Sequence, residues 1–90
     1  MFLDYKYIIV DNGESGTEIP IIFSYRIAHS NIAQGYVGKV VSAGFCQIFA
    51  DGVNLVSVAV FGKSDSLKMD SRPEDKEIIE KWLNRWKTDY

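Results

Sequence analysis

The chain has 90 residues, of which 47% are apolar and 24% charged, and its formal net charge at pH 7 is −2. This composition is typical of a globular domain and excludes a disordered, collagen-like or coiled-coil chain. A single cysteine excludes an internal disulfide, and one cysteine with one histidine excludes a zinc finger. We therefore expect one domain over residues 1–90, with no metal and no cofactor.

The charge and the termini also bear on partners and location. A weakly acidic chain has no long-range field that attracts nucleic acid or an anionic membrane, so neither is an expected partner. No basic segment followed by an apolar run opens the chain, and no apolar run approaches the ~20 residues of a transmembrane helix. We expect a cytoplasmic protein whose thiol is reduced. Because so short a chain has a small core, a homodimer is one hypothesis.

A first hairpin is predicted from residues 5–10 and 18–23, which are rich in β-branched and aromatic side chains. The turn lies in the cluster at 11–16, whose asparagine and glycines accept positive φ angles. Pro20 cannot donate a ladder hydrogen bond, so we expect the second strand at a sheet edge. Residues 24–37 are then expected to form short helical turns, with Ser30 as the N-cap.

A second hairpin is predicted from residues 40–50 and 54–61. The Asp-Gly pair at 51–52 lies between these apolar runs and favours a two-residue type I′ turn. With that turn, Phe45 pairs with Val58. A slip of one residue would exchange the two faces of a strand, so the assignment of faces depends on this turn.

This register divides the second hairpin into a bulky face and a face of small residues. The bulky face is the expected core: Val41, Ala43, Phe45, Phe49, Val56, Val58 and Val60. The small residues form a shallow trough, and we expect residues 24–37, a second subunit or a partner protein to cover it. The candidate interaction residues on this face are Ser42, Gly44, Cys46, Ser57, Ala59 and Phe61.

The C-terminal segment is predicted to be an amphipathic helix. Ser71 and Glu74 fit a capping box, and Pro73 suits the first turn. The buried stripe is expected to comprise Ile78, Ile79, Trp82, Leu83 and Trp86. The predicted fold class is α+β: an antiparallel sheet of four to five strands, built from two hairpins, with this helix packed on one face.

A glycine-containing loop offers a candidate binding site. Two residues separate Gly35 from Gly38, whereas a P-loop needs four between its glycines, so a P-loop is excluded. A GxxG loop that clamps nucleic acid needs a following helix, and here a strand follows. The glycines are explained by a helix end and a strand entry. The alternative is a small-ligand or nucleic-acid site formed by His29, Gly35, Tyr36, Gly38 and Lys39.

No catalytic residues are predicted. Cys46 lies in the middle of a strand, where a lone cysteine usually behaves as a small apolar residue. His29 is adjacent to Ser30, and neighbouring side chains point in different directions. The carboxylates have no spacing that brings two of them together. We therefore expect a protein that is not an enzyme, although an enzyme using Cys46 or His29 stays as a third hypothesis.

Three stretches carry a resemblance: 7–13 (YIIVDNG), 18–23 (EIPIIF) and 38–46 (GKVVSAGFC). They resemble small uncharacterised proteins of bacteria and of their phages or mobile elements. The resemblance carries over no functional residue. It implies a small accessory protein that acts by binding a bacterial host protein, which agrees with an interaction module as the leading hypothesis.

Overall fold

The computed structural model describes residues 2–11, 13, 17–35, 39–50 and 55–85. Four antiparallel strands form the main sheet: β1 (Phe2–Asp11), β2 (Glu18–Phe23), β3 (Lys39–Phe49) and β4 (Ser57–Phe61). Their order across the sheet is β2-β1-β3-β4. A small second sheet contains β5 (Lys63–Ser64) and β6 (Met69–Asp70), and the helices are α1 (His29–Ala33) and α2 (Asp75–Asn84). This architecture confirms the predicted α+β class.

The first hairpin forms as predicted. β1 pairs antiparallel with β2, and Ile9 lies opposite Pro20. β2 is an edge strand, so Pro20 occupies the position expected of a residue that cannot donate to a ladder. In the turn, Gly13 has a φ of 88°, and its N–H donates to Asp11 Oδ1 at 2.9 Å. This is the positive φ that the turn cluster predicts.

The predicted cap of the first helix is wrong. α1 begins at His29, its N-cap is Ala28, and no side chain caps it. Ser30 lies inside the helix, and its N–H donates to Ser66 Oγ at 3.2 Å. The N–H of Ser30 in the first turn, which a capping side chain would otherwise satisfy, is thus satisfied by Ser66, and the helix begins at His29 without a side-chain cap.

The predicted register of the second hairpin is also wrong. Phe45 pairs with Phe61, not with Val58, a shift of three positions. Because three is odd, the side chains of β4 exchange faces relative to those of β3. In this register α2 holds the outer edge of the strand, away from β3: the N–H of Val56 donates to Asn84 Oδ1 at 2.7 Å and its carbonyl accepts from Asn84 Nδ2 at 2.8 Å. These bonds anchor the start of β4 to the last residue of α2, a contact that a local turn motif does not include. The Asp-Gly pair at 51–52 lies outside the described residues.

The expected core face of this hairpin is divided by the same shift. Val58 is buried in the core, with Val56 and Val60 packed close to it. Phe49 was expected beside them, but it is 40% exposed. It pairs with Ser57, and paired side chains lie on the same face of a sheet, so Phe49 lies on the face opposite Val58. Phe45 lies on that opposite face as well and is only partly buried.

The sheet is covered on both faces, though not to the same extent. α2 covers one face, where a buried cluster forms from Tyr7, Ile9, Cys46, Val58 and Ile79. α1 and the β5–β6 hairpin lie over part of the other face, where the buried cluster comprises Ile8, Val10, Phe23 and Ala43. Residues of that covering layer pack against it: Ile32, Leu67 and Met69. Burying a Val, Leu, Ile, Phe or Met side chain stabilises the fold by about 1.5–3 kcal/mol.

The start of α2 differs from the predicted capping box. Ser71 Oγ donates to the carbonyl of Gly62 at 2.8 Å, so it does not cap the helix. The residue that reaches back is Asp75, not Glu74: its Oδ2 accepts from the N–H of Arg72 at 2.9 Å. The buried carboxylate of Asp75 thus takes the role that was predicted for Glu74.

The apolar stripe of α2 is correct in part. The helix packs against the sheet through Ile78, Ile79 and Leu83. Trp82 was expected in this stripe, but 38% of its surface is exposed. The guanidinium of Arg85 lies 4.0 Å from the centroid of its ring, a cation–π contact that suits a tryptophan at the rim. Trp86 lies outside the described residues.

Candidate functional site

The six candidate interaction residues of the second hairpin do not form one surface. Ser42, Gly44 and Cys46 are buried on the face that α2 covers. The β4 candidates lie on the opposite face, because the register differs by an odd number from the predicted one: Ser57, Ala59 and Phe61. The predicted trough is therefore split, and its β3 half is covered within the chain. The covering segment is the C-terminal one rather than residues 24–37.

A close chain crossing explains why Gly44 has no side chain. A Cβ at this position would lie 2.9 Å from the carbonyl oxygen of Phe61 and 2.9 Å from the Cβ of Ser71. Ser71 is held there because its N–H and its hydroxyl both donate to the carbonyl of Gly62. Only glycine leaves room for the segment that leads into α2.

The chemistry of Cys46 is that of a core residue. Its side chain is fully buried between α2 and the sheet. Burial, assisted by the charge of Asp4, raises the pKa of the Cys46 thiol to about 12. The thiolate, which is the nucleophilic form, is therefore scarcely populated at neutral pH.

The side chain of His29 is buried as well and packs within the fold. Only 3% of its surface is exposed, and its ring makes edge contacts with the rings of Phe23 and Phe45. Its Nε2 lies 2.9 Å from the carbonyl of Gly44; since a carbonyl only accepts, Nε2 carries the proton. Burial lowers the pKa of His29, and the charge of Lys6 lowers it further. The imidazole is therefore neutral, and its N–H is hydrogen-bonded to the main chain.

The alternative ligand site around residues 35–39 lies only in part within the described residues. His29 is buried against the sheet, whereas Gly35 and Lys39 are exposed. Tyr36 and Gly38 lie outside the described residues. The buried histidine and the exposed loop residues thus present no common lining for a ligand in the described part of this loop.

A polar network centred on the buried carboxylate of Asp75 ties α2 to the sheet, and sequence reasoning missed it. The hydroxyl of Tyr7 donates to Asp75 Oδ2 at 2.6 Å. Arg72 donates to Asp75 Oδ1 through Nε at 2.9 Å and to Glu18 Oε1 through a terminal nitrogen at 2.8 Å. Tyr7 and Asp75 are 68 positions apart in the chain, so no local pattern could have indicated the pair. Because its carboxylate is fully buried, the network is a structural anchor rather than a binding site.

A shallow cleft beside the start of α2 offers two cations, but both are already paired. The cleft is lined by Ala59, Val60, Arg72 and Lys76, among others. Arg72 bonds to the carboxylates described above, and Lys76 Nζ lies 3.2 Å from Glu80 Oε2. The cleft therefore offers little positive charge to a phosphate or a nucleotide.

The outer edge of β4 is closed by side chains of α2. Asn84 pairs with the main chain of Val56, and the N–H of Val58 donates to Glu80 Oε2 at 2.7 Å. The opposite edge of the sheet carries Pro20. Occupied main-chain groups and proline are devices by which proteins keep edge strands from pairing with other chains. A partner is therefore more easily accommodated on a face than on an edge.

One part of the sheet leaves large apolar side chains exposed. We call it the open sheet surface: it consists of Phe45, Gln47, Phe49, Ala59 and Phe61, bordered by Asp4 and Lys6. Strand pairing places these residues on the face opposite α2. Phe61 is 45% exposed and Phe49 40% exposed, and the rings of Phe45 and Phe61 stack at 5.8 Å. Clustered exposed aromatic residues are typical of interaction surfaces.

A comparison with protein-family models, with curated proteins and with solved structures found no match for this chain. None of the helices in the described ranges has the length and apolar character needed to cross a membrane. Over the same ranges, no group of three or more His, Cys, Asp and Glu side chains is placed to hold a metal ion.

Proposed function

We propose that this chain is a non-enzymatic protein-interaction module and that the open sheet surface is its binding surface. The observation that carries the proposal is the exposure of Phe61 beside Ala59 on a sheet whose opposite face is covered and whose two edges are protected. Exposed aromatic side chains next to small ones offer apolar area that a protein partner can bury.

The state of the two reactive side chains supports a binding role over an enzymatic one. The Cys46 thiol is neutral and buried, and the His29 ring is neutral and hydrogen-bonded to a main-chain carbonyl. A nucleophile and a base must reach a substrate and each other. Neither group has access of that kind, and the same state of His29 argues against the alternative ligand site around residues 35–39.

The proposed partner is a bacterial protein, and the proposed location is the cytoplasm. The resemblance of three sequence stretches to small bacterial, phage and mobile-element proteins supports an accessory protein that binds a bacterial host protein in the cytoplasm. The weak negative charge supports a protein rather than a nucleic acid as the partner.

The experiment compares two matched variants, each replacing an exposed aromatic residue by serine. Phe61→Ser alters the open sheet surface, and Trp82→Ser alters the rim of α2 instead. Each protein is immobilised and exposed to a bacterial lysate; any stoichiometric partner is then purified, and the binding is mapped by amide hydrogen exchange. Solution mass is measured in parallel.

The expected result is a partner, or self-association, that Phe61→Ser loses and Trp82→Ser keeps, with protection of amides in β3 and β4. Equal binding by the two variants would place the interaction elsewhere and overturn the proposal. A wild-type chain that stays monomeric and binds no protein would overturn it as well.

A further inference from the structure

We propose that the occupant of the open sheet surface is a second copy of this chain, packed face to face about a two-fold axis. The inference rests on the proposed function, because it names the partner of the same surface. It is carried by the strand register, which places charges and side-chain sizes in a self-complementary pattern.

The pattern consists of two adjacent rows across three strands. Strand pairing defines the first row as Asp4, Gln47 and Ala59. It defines the second row as Lys6, Phe45 and Phe61. The rows are one side-chain repeat apart. On β1, the acidic Asp4 of the first row is next to the basic Lys6 of the second. On β4, the small Ala59 of the first row is next to the large Phe61 of the second.

A two-fold axis that runs across the strands, midway between the rows, brings these complements together. It places Asp4 of one copy over Lys6 of the other, and Phe61 of one copy over Ala59 of the other. Because the axis is two-fold, each contact occurs twice. The ion pairs and the aromatic contacts therefore lie at opposite ends of the same interface.

The other simple arrangement does not give this match. A two-fold axis parallel to β3 would exchange β1 with β4. It would place Asp4 over Ala59 and Lys6 over Phe61, which leaves the carboxylate without a partner of opposite charge in the interface. Burying an unpaired charge is unfavourable, so the axis across the strands is the one that the charges select.

The side chains concerned can take part in this interface. Asp4 is exposed. Lys6 Nζ donates to the carbonyl of Ile27 at 3.0 Å and lies 5.8 Å from the centroid of Phe45. An ammonium group has three donors, so its contact with Ile27 leaves others for the Asp4 carboxylate of the second copy. The protected edges of β2 and β4 favour a closed dimer over an open-ended assembly.

The test is a charge exchange read out by light scattering after size exclusion. The wild type is expected at twice the 10.2 kDa mass of the chain. Asp4→Lys places two lysines together at each ion pair, and Lys6→Asp places two aspartates together. We expect each variant to raise the dimer dissociation constant by more than about tenfold, since like charges facing each other in an interface are strongly unfavourable.

Mixing the two variants is the decisive step. In a mixed dimer, one copy carries cations at positions 4 and 6 and the other copy carries anions at both, so both ion pairs are attractive again. A mixture that regains the dimer supports the proposal, because an effect within one chain cannot be rescued by another chain. A mixture that stays monomeric, or single variants that stay dimeric, would overturn it.

A second variant tests the dimer without replacing Lys6, whose loss could itself impair folding. Ala59→Glu introduces a charge beneath Phe61 of the second copy without touching the contact of Lys6 with Ile27, and Trp82→Ser serves as the control. The dimer should be lost in the first and kept in the second. A wild-type chain that is monomeric at every concentration would overturn the dimer, whereas a different protein partner lost in Phe61→Ser would still support the proposed function.

Discussion

Tyr7 and Asp75 join the centre of the sheet to the first turn of α2: the tyrosine hydroxyl donates to Asp75 Oδ2 at 2.6 Å, and both side chains are fully buried. Arg72 supplies the positive charge that a buried carboxylate needs, because its Nε donates to the other oxygen of Asp75. Burial, together with the bond to Asp75, raises the pKa of Tyr7 above its ordinary value. The phenol therefore stays protonated and donates throughout the neutral range.

Removing this donor should destabilise the fold. We expect Tyr7→Phe to lower the free energy of unfolding by about 1.5–3 kcal/mol, because a buried carboxylate loses one of its hydrogen bonds. The measurement is urea denaturation followed by circular dichroism. Tyr25→Phe is the matched control, since Tyr25 is 56% exposed, and it should change stability by less than about 0.5 kcal/mol. Equal effects of the two variants would show that the bond to Asp75 adds nothing.

The crossing at Gly44 should not tolerate even one methyl group. Gly44→Ala places its Cβ against a main-chain oxygen and the Cβ of Ser71, each at 2.9 Å. We expect a loss of about 1–3 kcal/mol, as is usual when a packed site is overfilled. Gly35→Ala makes the same change where the nearest atom, the carbonyl oxygen of Ile32, is 3.5 Å away. That variant should be as stable as the wild type, and thermal unfolding of both would test the difference.

His29 should make stability depend on pH below about neutrality. Burial lowers its pKa in the folded chain below the ordinary 6.5, and Lys6 lowers it further. Well above pH 6.5 both the folded and unfolded chains hold a neutral imidazole, so its contribution is fully present. As the pH falls below that value, the imidazole binds a proton in the unfolded chain but not in the folded chain. The free energy of unfolding therefore decreases until the pH reaches the pKa of His29 in the folded chain.

The measurement for His29 is the urea midpoint at several pH values between about 7.5 and 5, roughly the range in which a histidine titrates. His29→Gln keeps a donor for the carbonyl of Gly44 but does not titrate. The wild type should lose more stability than this variant over the range. Parallel pH profiles would mean that protonation of His29 is tolerated in the folded state.

The thiol of Cys46 should be unreactive until the chain unfolds. Its pKa is raised to about 12 by burial and by Asp4, so little thiolate is present in the folded protein. We expect reaction with a disulfide reagent at mildly alkaline pH to be more than about a hundredfold slower in buffer than in urea. A fast reaction in buffer would indicate an accessible thiol and revive the enzymatic hypothesis for this residue.

Local patterns were sufficient for the main strands, the C-terminal helix and the pairing of the first hairpin, and insufficient for the register of the second hairpin. The β-branched runs, the turn cluster near Gly13 and the proline at position 20 indicated the first hairpin, because each acts through its own backbone preferences. The outer edge of β4 is anchored by Asn84, which pairs with the main chain of Val56 from 28 positions away. A turn motif carries no information about an anchor so distant in sequence.

The candidate site shows the same division. Phe61 and Ala59 were singled out from the sequence as interaction residues, and the structure places both on the open sheet surface. Gly44 and Cys46 were singled out with them, but these are buried on the helix side of the sheet. Which of the six became exposed was decided by the odd shift in register. The role of the site stays a prediction.

The sequence by itself determined the fold class, the amphipathic helix and the edge position of the Pro20 strand, because helical periodicity, side-chain branching and a missing donor act over a few residues. Only the tertiary structure decided which face of the sheet α2 covers, how β4 aligns with β3, and where Phe61 emerges. The physical reason is that these features depend on contacts between distant residues: the bond of Tyr7 to Asp75 and the pairing of Asn84 with Val56.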